Sequence, residues 1–126
     1  MCKSPKTIIC DIDGTLVYHH GSLDEQMTKE STLLPGTLEN FREWVANDYK
    51  IILVTGRKSC YREITEKQLL RLGICYDHLI MDLPRGDRIL INDRKPSSPR
   101  DTAYAINLTR NHGLESIRES WTCIGE

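Results

Sequence analysis

Two carboxylates directly follow the first apolar run of the chain. The run Ile8-Ile9-Cys10 leads into Asp11-Ile12-Asp13-Gly14-Thr15. Side chains two positions apart on a strand share a face, and like charges that close resist ionising together unless a cation or a proton compensates. Magnesium is a hard cation that commonly takes one or two carboxylates together with waters and phosphate oxygens. The pattern therefore predicts a metal and phosphate site at the end of a buried strand.

Two later apolar runs also end in polar side chains that suit an ion or a phosphate. Ile51-Ile52-Leu53-Val54 runs into Thr55-Gly56-Arg57, and Arg88-Ile89-Leu90-Ile91 runs into Asn92-Asp93. Ligands gather at the carboxyl ends of the strands in an open parallel sheet. We therefore expect these side chains to meet the two carboxylates of the first run at one site.

The segments between these runs predict the elements that position them. In chain order they are a helix from residue 37 to about 47, a helix over 59–72 that Gly73 stops, a short strand over 78–81 and a helix from about 98 to near Gly113. Helical spacing predicts a buried face for each of the first two helices. The first face carries Leu38, Phe41 and Val45, and the second carries Tyr61, Ile64, Leu69 and Leu72. This order predicts an α/β fold, a three-layer sandwich around an open, mainly parallel, Rossmann-like sheet.

Length and composition bound the organisation of the chain. The 126 residues are 39% hydrophobic and 28% charged with a net charge of −1, which is typical of one ordinary globular domain and shows no bias toward nucleic acid. The first apolar run is too short for a signal peptide or a membrane span. Five cysteines without a CxxC pair favour reduced thiols, and we expect a cytoplasmic protein with no membrane partner.

Two segments lie outside the regular pattern. Residues 18–34 form a long polar stretch that we interpret as a flap over the site, with a flexible segment as the alternative. Its His19 and His20 could be ligands or substrate contacts, but a solvated pair is the more ordinary interpretation. The tail, residues 114–126, carries Ile117, Trp121 and Ile124, which could dock on the domain or meet another subunit.

The motifs resemble those of a known family. Asp11-Ile12-Asp13-Gly14-Thr15 is similar to the DxDGT motif of the haloacid dehalogenase-like (HAD) phosphohydrolases. Val54-Thr55-Gly56-Arg57 and Ile91-Asn92-Asp93 resemble the second and fourth motifs of that family, in the same order along the chain. The resemblance implies a HAD-like fold and a magnesium-dependent phosphomonoester hydrolase.

The resemblance also implies roles for single residues. Asp11 would be the nucleophile that forms an aspartyl phosphate, and Asp13 the general acid and base. Asp11, the main-chain carbonyl of Asp13, and Asp93 would hold Mg²⁺. The phosphate would be bound by Thr55 and Arg57 and by the amides of Gly14 and Gly56.

The third motif of the family, a lysine or arginine, is missing from its expected position at Leu83. Arg85, Arg88 or Lys95 could supply the positive charge instead, and Lys95 and Arg85 are the favoured candidates. The alternative is a catalytically weak or silent domain that binds a phosphorylated ligand or partner. A solvated turn at Asp11 and Asp13 is the structural alternative to a site.

The spacing of the motifs leaves no room for either usual cap insertion, so the resemblance is to capless members with one domain over residues 1–126. Such members often act on accessible phosphoesters or use a neighbouring subunit as a lid. We expect a small phosphorylated metabolite such as a sugar phosphate as substrate. A phosphorylated protein or a nucleic-acid end is the alternative, but no stripe of basic and aromatic residues favours nucleic acid. We also expect a homo-oligomer, either dimer or tetramer. Phosphotransfer to an acceptor other than water is disfavoured by the absence of a cap.

Overall fold

Residues 4–117 are described in a computed structural model. Their elements are, in chain order, β1 (Thr7–Asp11), α1 (Leu23–Thr28), α2 (Thr37–Ala46), β2 (Lys50–Val54), α3 (Arg62–Leu72) and β3 (His78–Ile80), with 3-10 turns at Ser59–Tyr61 and Leu114–Ser116.

The strands form one open, parallel sheet in the order β1-β2-β3. The register pairs Asp11 with Val54 across β1 and β2, and Val54 with Ile80 across β2 and β3. Parallel strands end at the same edge, so the loop after β1 and the residue after β2, Thr55, lie side by side. The prediction of an α/β fold with an open parallel sheet is confirmed.

Helix α2 buries Phe41 as predicted but not Val45. Phe41 and Trp44 are buried and their rings pack with centroids 4.9 Å apart, whereas Val45 is 51% exposed. The prediction of Val45 as a core residue is wrong because the larger Trp44 takes the inward position three residues after Phe41.

Helix α3 turns a partly polar face inward. Leu69 is buried as predicted, and Gly73 ends the helix in a left-handed conformation. Ile64 is 40% exposed, so its prediction as a core residue is wrong; Thr65 and Gln68 are buried instead. Their polar side chains are satisfied by a buried arginine of the candidate site, described below.

Two predicted elements are not formed. Residues 88–91 make no strand, and Ile89 and Ile91 are 82% and 89% exposed. An apolar run becomes a strand only where a neighbouring strand supplies hydrogen bonds, and none does so here. The helix predicted from about residue 98 is also absent. Pro96 and Pro99 provide no backbone donors there, and Arg94 pairs locally with Asp101 at 2.9 Å.

The end of the described chain returns to the core. Leu114 and Ile117 are buried and belong to the same hydrophobic cluster as Phe41 and Trp44. This is the docking alternative predicted for the tail; Trp121 and Ile124 lie outside the described residues. Among residues 4–117, no helix is long and apolar enough to cross a membrane.

The predicted flap contains a short helix. Ser22 caps α1 by accepting a hydrogen bond from the Glu25 amide at 3.2 Å. The two ends of the segment are joined where the amide of Tyr18 donates to the carbonyl of Thr32 at 2.9 Å. The segment is therefore a closed loop that contains a helix. Gln26 and Met27 of this helix are buried.

Candidate active site

The two carboxylates project from a tight loop at the carboxyl end of β1. Leu16 donates its amide to the carbonyl of Ile12 at 2.8 Å, and Gly14 donates its amide to the carbonyl of Val17 at 2.7 Å. Gly14 has a φ of 85°, which favours glycine. Because the Gly14 amide is used inside the loop, the prediction that it binds a phosphate oxygen does not fit the structure.

Asp13 is held by a buried arginine. Arg57 Nε donates to Asp13 Oδ2 at 2.9 Å and Arg57 Nη2 donates to Asp13 Oδ1 at 2.7 Å. The side chain of Arg57 is 2% exposed and that of Asp13 is 14% exposed. The third nitrogen of the guanidinium, Nη1, donates to Thr65 at 3.1 Å and to Gln68 at 2.7 Å. This two-point pair fixes the orientation of the carboxylate and compensates its charge.

A glutamine from the flap completes the surroundings of Asp13. Gln26 Nε2 donates to Asp13 Oδ1 at 2.7 Å and to the Tyr18 carbonyl at 2.8 Å, while Gln26 Oε1 accepts from the His20 amide at 2.8 Å. The side chain of Gln68 also reaches the main-chain carbonyl of Gln26 at 3.5 Å. The flap is therefore tied both to the carboxylate and to α3.

Asp11 is the more accessible carboxylate and contacts a different arginine. Arg88 Nη1 donates to Asp11 Oδ1 at 3.0 Å, and the Thr15 hydroxyl donates to Asp11 Oδ2 at 3.3 Å. The favoured candidates for the missing cation, Arg85 and Lys95, form no ion pair with either carboxylate in the described structure. The candidate cation that the structure brings to Asp11 is thus Arg88, the third alternative.

The end of β2 carries a buried threonine and an exposed glycine. Thr55 is buried, and its Oγ1 accepts a hydrogen bond from the Arg57 amide at 3.1 Å. The Leu83 amide donates to the Thr55 carbonyl at 3.1 Å, which holds the chain after β3 against this strand end. Gly56 is exposed beside it. Thr55 and Gly56 therefore lie at the predicted edge of the sheet.

Asp93 is not gathered with the other two carboxylates. Within residues 4–117, no group of three histidine, cysteine or acidic residues could hold a metal ion. Asp93 lies in the exposed stretch that fails to form a strand, and its carbonyl accepts from the Thr102 hydroxyl. The strand end that was expected to deliver this ligand does not exist.

The chain still offers oxygen ligands that suit Mg²⁺. Asp11 provides an accessible carboxylate, and Asp13 can add its main-chain carbonyl. Mg²⁺ often takes one or two carboxylates, with waters and a substrate phosphate completing its shell. The donors fit such an incomplete site, with Asp11 as the main protein ligand.

The two histidines of the flap are packed rather than solvated. His19 is half-buried, and its amide donates to Asn111 Oδ1 at 2.7 Å. His20 is half-buried, and its ring meets that of Tyr18 edge to face at 5.1 Å. The interpretation of these residues as a solvated pair is therefore not supported.

Several residues of the site were missed from the sequence. Gln26, Gln68 and Thr65 are isolated polar residues that belong to no motif or periodic pattern in the sequence, so no sequence pattern indicates them. Arg57 was identified as a phosphate ligand, and its buried pairing with Asp13 was not foreseen. The signal lies in the position of Arg57 three residues after an apolar strand, because an arginine that turns inward there needs a nearby anion.

Comparisons with known proteins accord with this site. The model of the family described as "Polynucleotide kinase PNKP phosphatase domain" matches residues 5–88. A comparison with curated proteins found no match.

Two solved structures are similar to the chain. "Structure of Pnkp1/Rnl/Hen1 complex" is 32% identical with a TM-score of 0.56, covering 69% of this chain and 31% of that one. "Structure of the Pnkp1/Rnl/Hen1 RNA repair complex" is 34% identical with a TM-score of 0.55, covering 67% of this chain and 28% of that one. The chain thus spans about a third of the length of these solved chains.

The RNA repair complex overturns the prediction of a small phosphorylated metabolite as partner and of no nucleic acid. That prediction rested on a near-neutral composition and on the lack of a basic and aromatic stripe, and neither reveals a few arginines gathered by folding. The match over residues 5–88 includes both carboxylates, Thr55, Arg57 and Arg88. The chain therefore belongs to the family of HAD-like phosphatase domains found in polynucleotide kinase-phosphatase.

Proposed function

We propose that this chain is a magnesium-dependent phosphatase that removes the terminal phosphate from a polynucleotide. Membership of the phosphatase family supports the reaction class, and the similarity to a protein of an RNA repair complex supports the substrate class. The observation that carries the proposal is the loop after β1. In this loop the accessible carboxylate of Asp11 lies beside Arg88, and the fixed carboxylate of Asp13 lies beside Arg57.

Asp11 is the proposed nucleophile because it is the more accessible of the two carboxylates. One of its oxygens attacks phosphorus and the bond from phosphorus to the ester oxygen breaks, which leaves an aspartyl phosphate. Asp13 enters this step in its protonated form and gives its proton to the departing oxygen of the nucleic acid. Water then attacks the phosphorus and gives a proton to Asp13, and inorganic phosphate departs as the carboxylate of Asp11 is restored.

Arg88 is proposed to take the role of the missing third-motif cation. In the free protein its guanidinium pairs with the carboxylate of Asp11 at 3.0 Å. A substrate phosphate bound next to Asp11 would meet the same guanidinium, which has further donors for phosphate oxygens. Arg88 thereby lowers the repulsion between an anionic nucleophile and an anionic substrate.

Thr55 and Gly56 are proposed to bind the other phosphate oxygens. The Thr55 oxygen already accepts a hydrogen bond from the Arg57 amide, so its own proton remains a donor. Gly56 is an exposed residue next to it, and its amide is proposed as a second donor. When bound at Asp11 and the Asp13 carbonyl, Mg²⁺ would supply further positive charge that offsets the charge of the phosphate.

The test is a substrate panel with matched ends. Purified protein and Mg²⁺ are incubated with DNA and RNA oligonucleotides that carry a 3′- or 5′-phosphate, and with sugar phosphates, while released phosphate is measured. We expect release from at least one kind of oligonucleotide end, and its loss in Asp11→Asn. Release confined to sugar phosphates, or binding of oligonucleotides with no release, would contradict the proposal.

A further inference from the structure

We infer that Arg110 binds a phosphate of the nucleic-acid chain other than the one removed, and so favours polynucleotides over small phosphoesters. This inference rests on the proposed function. It concerns a residue that lies outside the stretch matched by the family model, residues 5–88.

Arg110 lies directly on the catalytic loop. A Cβ at Gly14 would be 3.1 Å from Arg110 Cγ and 3.7 Å from Arg110 Nε. The aliphatic part of Arg110 therefore packs over Gly14, the residue that follows Asp13. A larger residue at position 14 would push this arginine away.

The backbone that carries Arg110 is fixed by its neighbour. The Asn111 amide donates to the Gly14 carbonyl at 2.8 Å. Asn111 Oδ1 accepts from the His19 amide at 2.7 Å, and Asn111 Nδ2 donates to the His19 carbonyl at 3.3 Å. Asn111 has a φ of 66°, a left-handed conformation that asparagine tolerates better than most residues. These contacts lock Arg110 against the first motif and the start of the flap.

A close crossing of two backbones reinforces that position. Glu115 donates its amide to the Pro35 carbonyl at 3.2 Å, and a Cβ at Gly36 would be 2.6 Å from the Glu115 nitrogen. The segment from Arg110 to Glu115 is therefore anchored at both ends, and Arg110 does not sit on a loose loop.

The charge of Arg110 is available for a ligand. Its side chain is exposed and makes no hydrogen bond or ion pair within residues 4–117, whereas Arg57 and Arg88 are engaged by Asp13 and Asp11. Arg110 pairs with neither carboxylate although it touches the loop between them and the flap. The scissile phosphate must lie against Asp11, so the anion that suits Arg110 is a neighbouring one.

A polynucleotide carries such a second phosphate and a sugar monophosphate does not. An arginine that contacts a backbone phosphate contributes affinity that falls with salt and does not depend on base sequence. Arg110 would therefore increase the affinity for substrates that carry a second phosphate, and it would leave the chemistry at Asp11 unchanged.

The experiment measures binding without turnover. A fluorescent single-stranded oligonucleotide, with or without a terminal phosphate, is titrated at several salt concentrations into the Asp11→Asn protein and into the same protein carrying Arg110→Ala, Arg110→Lys or Arg42→Ala. Arg42 is an exposed arginine on α2 and serves as the matched control. Phosphate release is measured in parallel with Asp11 intact. The unmutated protein and the single variant Arg110→Ala are compared with oligonucleotide and mononucleotide substrates.

Arg110→Ala is expected to weaken oligonucleotide binding about tenfold, with or without the terminal phosphate, and to reduce the slope of log affinity against log salt by about 0.7. Arg110→Lys should retain most of the affinity, and Arg42→Ala all of it. Release from a mononucleotide should change less than about twofold.

Equal affinity of Arg110→Ala and its parent would overturn the inference, while phosphate release from oligonucleotides would leave the proposed function standing. A loss seen only with the phosphorylated oligonucleotide would also overturn it, because Arg110 would then bind the scissile phosphate. Absence of both oligonucleotide binding and release would overturn the two proposals together.

Discussion

Arg57 and Asp13 form a buried, two-point ion pair across the carboxyl ends of β1 and β2, with donor–acceptor distances of 2.7 and 2.9 Å. Burying a lone charge is costly, and a pair of this geometry offsets that cost only when the other donors are also satisfied. Thr65 and Gln68 on α3 accept hydrogen bonds from the third guanidinium nitrogen, Nη1. The pair therefore links the first two motifs to a helix and fixes the orientation of Asp13.

Breaking this pair should destabilise the fold and abolish activity. Arg57→Met leaves the carboxylate of Asp13 buried without its partner, which typically costs about 3–5 kcal/mol. Urea unfolding measures this cost, and phosphate release measures the effect of misplacing Asp13, the proposed acid and base. Lys67→Met is the control, since the Lys67–Glu63 pair is exposed and should contribute under about 1 kcal/mol. Equal unfolding midpoints for Arg57→Met and Lys67→Met would argue against a structural role for the pair.

Arg88 should matter more than the other two candidate cations. Arg88→Ala is expected to reduce kcat/KM for a phosphorylated oligonucleotide by about 10²–10³-fold, the typical effect of removing one donor to a developing oxyanion. Arg88→Lys should recover part of that loss because it restores the charge without the planar fork.

Arg85→Ala and Lys95→Ala are the matched variants, and steady-state kinetics should show changes below about threefold for both. A large loss for either of them, with Arg88→Ala close to the parent, would assign the cation differently.

Gly113 should tolerate no side chain. It has a φ of 85°, and a Cβ there would collide with the carbonyl oxygen of Pro35. Gly113→Ala is therefore expected to lose at least about 2 kcal/mol of unfolding free energy. Gly86→Ala is the control, because nothing lies within 4 Å of the added Cβ, and it should change stability by less than about 0.5 kcal/mol. Thermal or urea unfolding compares the two, and similar losses would contradict the described crossing.

Cys10 should resist alkylation while the protein is folded. Burial, with a smaller contribution from Asp11, raises the pKa of its thiol from 9.0 to about 12. The thiolate fraction at pH 8 is then about a thousandfold below that of an ordinary thiol. Peptide mapping after brief iodoacetamide treatment should find Cys60 and Cys75, which are exposed and free, modified before Cys10.

The same raised pKa makes a prediction for stability. The folded state favours the protonated thiol of Cys10, so its contribution is fully present below about pH 9 and is lost as the pH rises toward 12. In the alkylation experiment, equally fast modification of Cys10 and Cys75 in the folded protein would show that the Cys10 thiol is not buried.

The sequence predicted the part of the site that is local to strand ends. Asp11, Asp13 and Thr55 each follow an apolar run, and parallel pairing places such positions at one edge. Residues 88–91 are similar in composition to the apolar runs of β1 and β2, and yet they form no strand. Composition shows that a run could join a sheet, but whether a partner edge receives it depends on tertiary structure. The prediction for Asp93 depended on that strand and is not realised in the described residues.

The contacts between distant segments could not be predicted. Arg57 meets Asp13 across 44 positions and Arg88 meets Asp11 across 77. A single sequence gives the charge of each residue and carries no information on which opposite charge it meets. The near-neutral composition suggested no nucleic-acid partner for the same reason, because a net charge does not reveal three arginines collected around one loop.

The role of Asp11 as the nucleophile is tested most directly by trapping the phosphoryl group on the protein. An oligonucleotide with a radiolabelled terminal phosphate is mixed with excess protein and Mg²⁺, quenched in acid within a turnover and digested for peptide mapping. We predict label on the peptide that contains Asp11, its release by hydroxylamine and its absence in Asp11→Asn. Undiminished phosphate release by Asp11→Asn, with no label on that peptide, would show that Asp11 is not the nucleophile.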